Sequence, residues 1–163
     1  MMHYVSNASV YRSIADEANA QAQQLWNAAR TPKPDGSAGF IVAFDPSRRS
    51  FKESLVAIAF AGIYVEALLY LKGSHAMGKT WKNKWDGCTY EEKFRSLGIN
   101  DAQFLASAER LRKSRRDLVH EKALPLHEIP SAELRWAHVE AAFAVAFIAQ
   151  ATERLQGAAK LEL

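Results

Sequence analysis

The chain has 163 residues, 48% hydrophobic and 24% charged, the balance of an ordinary globular protein and too apolar for a disordered one. Its length predicts one domain over 1–163, and its lone cysteine, Cys88, excludes an internal disulfide framework and a cysteine-rich zinc site. A net charge of +3 is too small to imply nucleic-acid binding by itself.

The first residues show no basic start followed by an apolar run, and the most apolar stretch, 55–71, is interrupted by Glu66. The expectation is a cytoplasmic protein with no secretory leader and no membrane partner. The first periodic segment, 9–30, reads as a helix with Val10, Ile14, Ala18 and Leu25 on its apolar side. Pro32, Pro34 and Gly36 end it. Phe40 to Phe44 has the composition of a short strand with no obvious pairing partner, so an extended segment lying over the core is expected.

Asp45-Pro46-Ser47 signals the start of a long helix over 48–72, closed by Gly73, and a loop is expected over 74–89. Thr89-Tyr90-Glu91-Glu92 matches a capping box opening a short helix to Leu97, stopped by Gly98. Asn100 or Asp101 then caps a helix reaching about 122, and Pro125 and Pro130 bracket the next connection. A last helix over 131–155 carries Val139, Phe143, Ala146 and Phe147 on its packing side. The sum is an all-α fold, a five-helix bundle with one short extended segment.

Two segments carry chemical signals. Gly73-Ser74-His75-Ala76-Met77-Gly78-Lys79-Thr80 satisfies the phosphate-loop pattern GxxxxGK[ST]. That loop works only between a buried parallel strand and a helix, and here the preceding segment reads as a helix and no amphipathic helix is evident after it. A basic interhelical loop is expected instead, with Trp81 and Trp85 pinning it to the bundle rather than stacking on bases. His3, His75, His127 and His138 show no metal-ligand spacing, so neither metal nor cofactor is expected.

The second signal is the basic run Arg110, Arg112, Lys113, Arg115 and Arg116. Runs of this kind are most often solvated helix faces. Arg115 nevertheless falls on the apolar arc of Phe104, Ala108, Leu111, Leu118 and Val119, and Glu66 falls on the arc of Leu55, Ile58, Gly62, Val65 and Leu69. Two opposite charges misplaced on facing stripes are expected to pair. His120 stands five residues after Arg115, with Arg112 and Arg116 between them around the helix and Asp117 and Glu121 alongside. Arginine forks bind and neutralise a phosphate, and a histidine moves a proton near neutrality, which together suit metal-free phosphodiester cleavage. The alternative is that His120 merely sits favourably at a helix end.

Arg115-Arg116-Asp117-Leu118-Val119-His120 resembles the R-x4-6-H signature of the HEPN superfamily, all-helical proteins many of which are metal-independent ribonucleases. Glu66 in Tyr64 to Leu69 resembles that family's acid-bearing helix. Tyr90 to Phe94 with Leu97-Gly98 resembles the short helix before its motif helix. The likeness covers 48 to the end, with the motif region at 48–122. It departs from the usual pattern in placing Arg116, rather than a small polar residue, after the motif arginine.

The resemblance implies an endoribonuclease in which Arg115 and His120 are catalytic, with Glu66, Arg112, Arg116 and Asp117 orienting or contacting phosphate. It further implies RNA as substrate, a homodimer with both motifs on one cleft, and a role as a toxin or defence effector. An antitoxin or nucleotidyltransferase partner would fit that role. The alternative is a non-catalytic helical module that binds RNA, a nucleotide or a protein through the same cleft. A third reading is a nucleotide triphosphatase built on Gly73 to Thr80.

Overall fold

A computed structural model describes residues 6–43, 45–119 and 137–157. Its elements in chain order are α1 (Ala8–Ala28), β1 (Arg30–Pro32), β2 (Phe40–Val42), α2 (Arg49–Met77), α3 (Lys79–Trp85), α4 (Tyr90–Ser96), α5 (Ala102–Val119) and α6 (Ala137–Gly157). The fold is mostly helical, with six helices among the described residues rather than five.

The long helix α2 is the axis on which the others pack. By length and composition it is apolar enough to cross a membrane, with a mean hydropathy of 2.0 over its most apolar window. Its apolar side is nevertheless spent on neighbours within the bundle: Ala57, Ile58, Ala61, Val65, Leu68 and Leu69 are buried. Against it α1 lays an alanine stripe, Ala8, Ala15, Ala18 and Ala22, all buried. Methyl-sized side chains let two helices approach closely, so this face replaces the expected one: Ala18 stays in the core, but Val10 is 53% exposed. On α6 the buried apolar residues are Ala141, Ala144, Phe147, Ile148, Ala151 and Leu155. The expected Phe147 belongs to that face, while Val139 and Ala146 are exposed and Phe143 is half-buried. On α1 the larger apolar residues had drawn the predicted stripe toward themselves, and alanines in fact form the contact; on α6 the buried face mixes alanines with Phe147, Ile148 and Leu155.

Helix starts follow side-chain chemistry. The carboxylate of Asp45 accepts from the Ser47 backbone N–H at 2.9 Å and the Arg49 N–H at 2.7 Å, which holds the entry to α2. Thr89 and Glu92 form the expected reciprocal cap at α4, and the Asp101 Oδ1 accepts from the Phe104 N–H at 2.8 Å. Phe94, Phe104 and Phe147 tie α4, α5 and α6 together edge to face, with ring centroids 4.9 Å apart for the first pair and 6.2 Å for Phe94 and Phe147.

Three expectations are corrected. Phe40 to Val42 does have a partner: it pairs antiparallel with Arg30–Pro32, Arg30 opposite Val42. It does not lie over the core either, since Phe40, Ile41 and Val42 are 56%, 51% and 44% exposed. Gly73 does not end α2, which continues to Met77. The helix stops at Gly78, whose φ of 58° lies in the left-handed region that glycine enters without strain. The segment expected as loop also contains a helix, α3, with Trp81 buried at 1% exposure and Trp85 packed beside it. Gly73 serves a different purpose: a Cβ there would fall inside the Trp81 indole.

Gly73→Ala is therefore expected to destabilise the fold by about 1–3 kcal/mol through overpacking. Gly87→Ala, where a Cβ meets open space, should leave the melting temperature unchanged. Thermal denaturation of the two variants measures both.

Candidate functional site

The basic run sits on α5, and its members point outward to different neighbours. The Arg110 fork grips Glu140 of α6 at 2.7 and 3.2 Å, and Ser114 Oγ donates to the same carboxylate at 2.7 Å. Arg112 grips Glu91 of α4, its closest contact 2.8 Å from Nη2 to Oε1. Lys113 pairs with Glu109 on its own helix at 2.8 Å. Among the described residues Arg116 pairs with its neighbour Asp117 at 2.9 Å, both more than half exposed.

Arg115 pairs with Glu66 of α2, as expected from the two misplaced charges: Nη1 lies 2.5 Å from Oε1. The same Nη1 donates to the Tyr90 hydroxyl at 2.9 Å. The single Tyr90 hydroxyl proton is shared between Glu66 Oε1 and the Gly62 carbonyl, each 3.2 Å away. The pair lies at the rim rather than in the core, since Glu66 is exposed and Arg115 half-buried. Gly62 makes the approach of α5 to α2 possible, because a Cβ there would collide with the Arg115 Cδ and crowd the Tyr90 hydroxyl. The part of Tyr90 in this link is not visible in charge patterning. Its signal in the sequence is the tyrosine one residue after the Thr89 cap, on the helix that faces α5.

Electrostatics follow the geometry. Burial, reinforced by the Glu66 carboxylate, pushes the Tyr90 phenol up to about 12. Burial works against the Arg115 charge, but Tyr90 and Glu66 outweigh it and hold the guanidinium above its ordinary value. The Glu91 hydrogen bonds do the same for Arg112.

These side chains line a groove of about 460 Å³ between α2, α4 and α5, walled by Glu66, Asp86, Tyr90, Lys93, Arg112, Arg115 and Arg116. Arg112, Arg115 and Arg116 fall within roughly 100° of arc on α5, so three guanidinium groups and Lys93 face one space. Cys88 also borders it, its thiol directed to the Lys84 carbonyl at 3.5 Å. Asp117 is exposed beside Arg116. His120, like His3 and His127, lies outside the described residues.

No protein-family model, curated protein or solved structure matches this chain. The groove must therefore be read from its own chemistry. The phosphate-loop string offers no competing site. Residues 73–77 belong to α2, where their backbone amides are engaged in the helix, and Lys79 and Thr80 stand exposed at the start of α3. A short helix, α3, does follow the string in place of the expected loop, without a side-chain cap, but a helix rather than a strand precedes it. His75 is exposed, and His138 stacks on Trp26 with centroids 4.0 Å apart.

The Tyr90 link makes a pH prediction. The unfolded phenol ionises near pH ~10 and the folded one near 12, so between these values the folded chain retains a proton that the unfolded chain has lost. Tyr90 thus contributes stability that is whole below pH ~10 and disappears as the pH rises through the folded value. Denaturation across that window should show a flatter decline for Tyr90→Phe than for the parent chain. Ultraviolet titration should find a late component from Tyr90, absent in Tyr90→Phe and earlier in Glu66→Gln.

Proposed function

We propose that this chain is a HEPN-like helical domain that binds RNA in the α5 groove and cleaves a phosphodiester without metal. The observation that carries the reading is the convergence of Arg112, Arg115, Arg116 and Lys93 on one groove, with Arg115 oriented by Glu66 and Tyr90. A guanidinium held at Nη1 by two partners is oriented with its remaining N–H groups left for a phosphate and for the charge that builds on it in the transition state.

Arg115 is the phosphate-stabilising residue in this reading, and Glu66 and Tyr90 are its positioning residues. Arg116, held in an exposed pair with Asp117 among the described residues, is the cation most cheaply redirected to a substrate. Arg112 is firmly engaged by Glu91 and contributes field more than a free fork. His120 is the proton-transfer residue. It removes the proton from a ribose 2′-hydroxyl as that oxygen attacks phosphorus, then protonates the departing 5′-oxygen, leaving a cyclic phosphate and a free hydroxyl. By the same resemblance, two copies pair with their motifs across one cleft, and the activity serves as a toxin or defence effector held in check by a partner.

Labelled RNA incubated with the protein in chelator is expected to be cut, with His120→Ala lowering the rate by about 10²–10⁴-fold. Arg116→Ala should weaken RNA binding and reduce the salt slope by about one phosphate contact. Binding without cleavage, unchanged in His120→Ala, would make this a non-catalytic RNA-binding module. Neither binding nor cleavage would overturn the reading.

A further inference from the structure

A second cavity, about 490 Å³, adjoins the cationic groove and shares Glu66, Asp86 and Lys93 with it. Its other walls differ in kind. Tyr11, Ile63, Ala67 and Tyr70 supply aromatic and aliphatic surface, and Tyr70 is 42% exposed. Asn7 lines the same space. It occupies the N-cap position of α1, where asparagine ordinarily accepts from the helix amides, yet its side chain makes no capping hydrogen bond. The carboxamide is therefore not used by the helix it precedes.

An anion-binding groove joined to a chamber with an aromatic wall, a carboxamide and carboxylates has the chemistry of a nucleotide site. Aromatic faces stack on unpaired bases. A carboxamide offers one donor and one acceptor, the complement of the adenine N7 and N6 amino edge. Glu66 and Asp86 at the junction accept hydrogen bonds from an exocyclic amino group, while Lys93 beside them faces the neighbouring phosphate groove as well.

We propose that this cavity is a base-recognition subsite. It holds the adenine next to a phosphate bound at Arg115, with Tyr70 as the stacking surface and Asn7 as the reader of the base edge. The inference deepens the RNA reading above and rests on it. It assigns to α1 and α2 a specificity function separate from the chemistry placed on α5.

The test uses the full chain and four probes: AMP, UMP, adenosine and inorganic phosphate, titrated by calorimetry. AMP is expected to bind about tenfold more tightly than UMP, one good bidentate base contact's worth of discrimination. Asn7→Ala should bring the two together without altering phosphate binding. Tyr70→Ala should weaken adenosine and AMP by about tenfold or more, again sparing phosphate. Both variants change exposed side chains, and circular dichroism verifies that they fold.

Equal affinities for AMP and UMP, or an AMP preference untouched in both variants, would overturn the base subsite while leaving the phosphate groove intact. Adenosine binding that survives in Arg115→Ala but falls in Tyr70→Ala supports the subsite even where RNA cleavage fails. The two proposals therefore fail separately.

Discussion

Two carboxylates inside the bundle, Glu140 and Glu91, constrain everything around α5. They are 3% and 9% exposed, and a charge so placed is tolerated only beside a partner that neutralises it and satisfies its oxygens. Arg110 and Arg112 each answer one of them with a fork. Because these two arginines leave α5 on different sides, they fix the rotation of the helix between α4 and α6. Once that rotation is set, Arg115 comes to Glu66 and Tyr90, and Arg116 is left toward the groove. A run that looks like a single basic patch is thus divided, most of it holding the bundle together and a smaller part facing open space.

This division explains which features of the chain were legible in its residues. Capping chemistry was clear because it is local: Asp45, Thr89 with Glu92, and Asp101 each act within four residues. The Arg115–Glu66 pair was also legible, since each residue interrupts an otherwise apolar spacing. Its placement at the rim was not, because a helical wheel gives angle and says nothing about how far a neighbouring helix covers that angle. The roles of Arg110 and Arg112 were hidden for the same reason: Glu140 and Glu91 lie on other helices, and nothing local to the basic run marks them as its partners.

The elements that differed from expectation share a cause as well. Gly73 in sequence resembles a helix stop, yet the residue is required by an indole arriving from eight residues later. Phe40 to Val42 has no partner that composition would nominate, because Arg30–Pro32 contains a proline and a charged residue and reads as a helix end. Alanine positions on α1 and α6 are quiet in any hydrophobic pattern, although they are buried in the bundle. Each is a case of tertiary contact deciding what local preference left open.

The alanine stripe has a spatial consequence. Methyl groups at Ala8, Ala15, Ala18 and Ala22 seat α1 on the bundle with short side chains along a length of roughly 30 Å. Asn7 rides on one end of it. Trp26, stacked on His138, rides near the other. The helix thus spans the distance between the second cavity, at Asn7, and the packing of α6, at the Trp26–His138 stack.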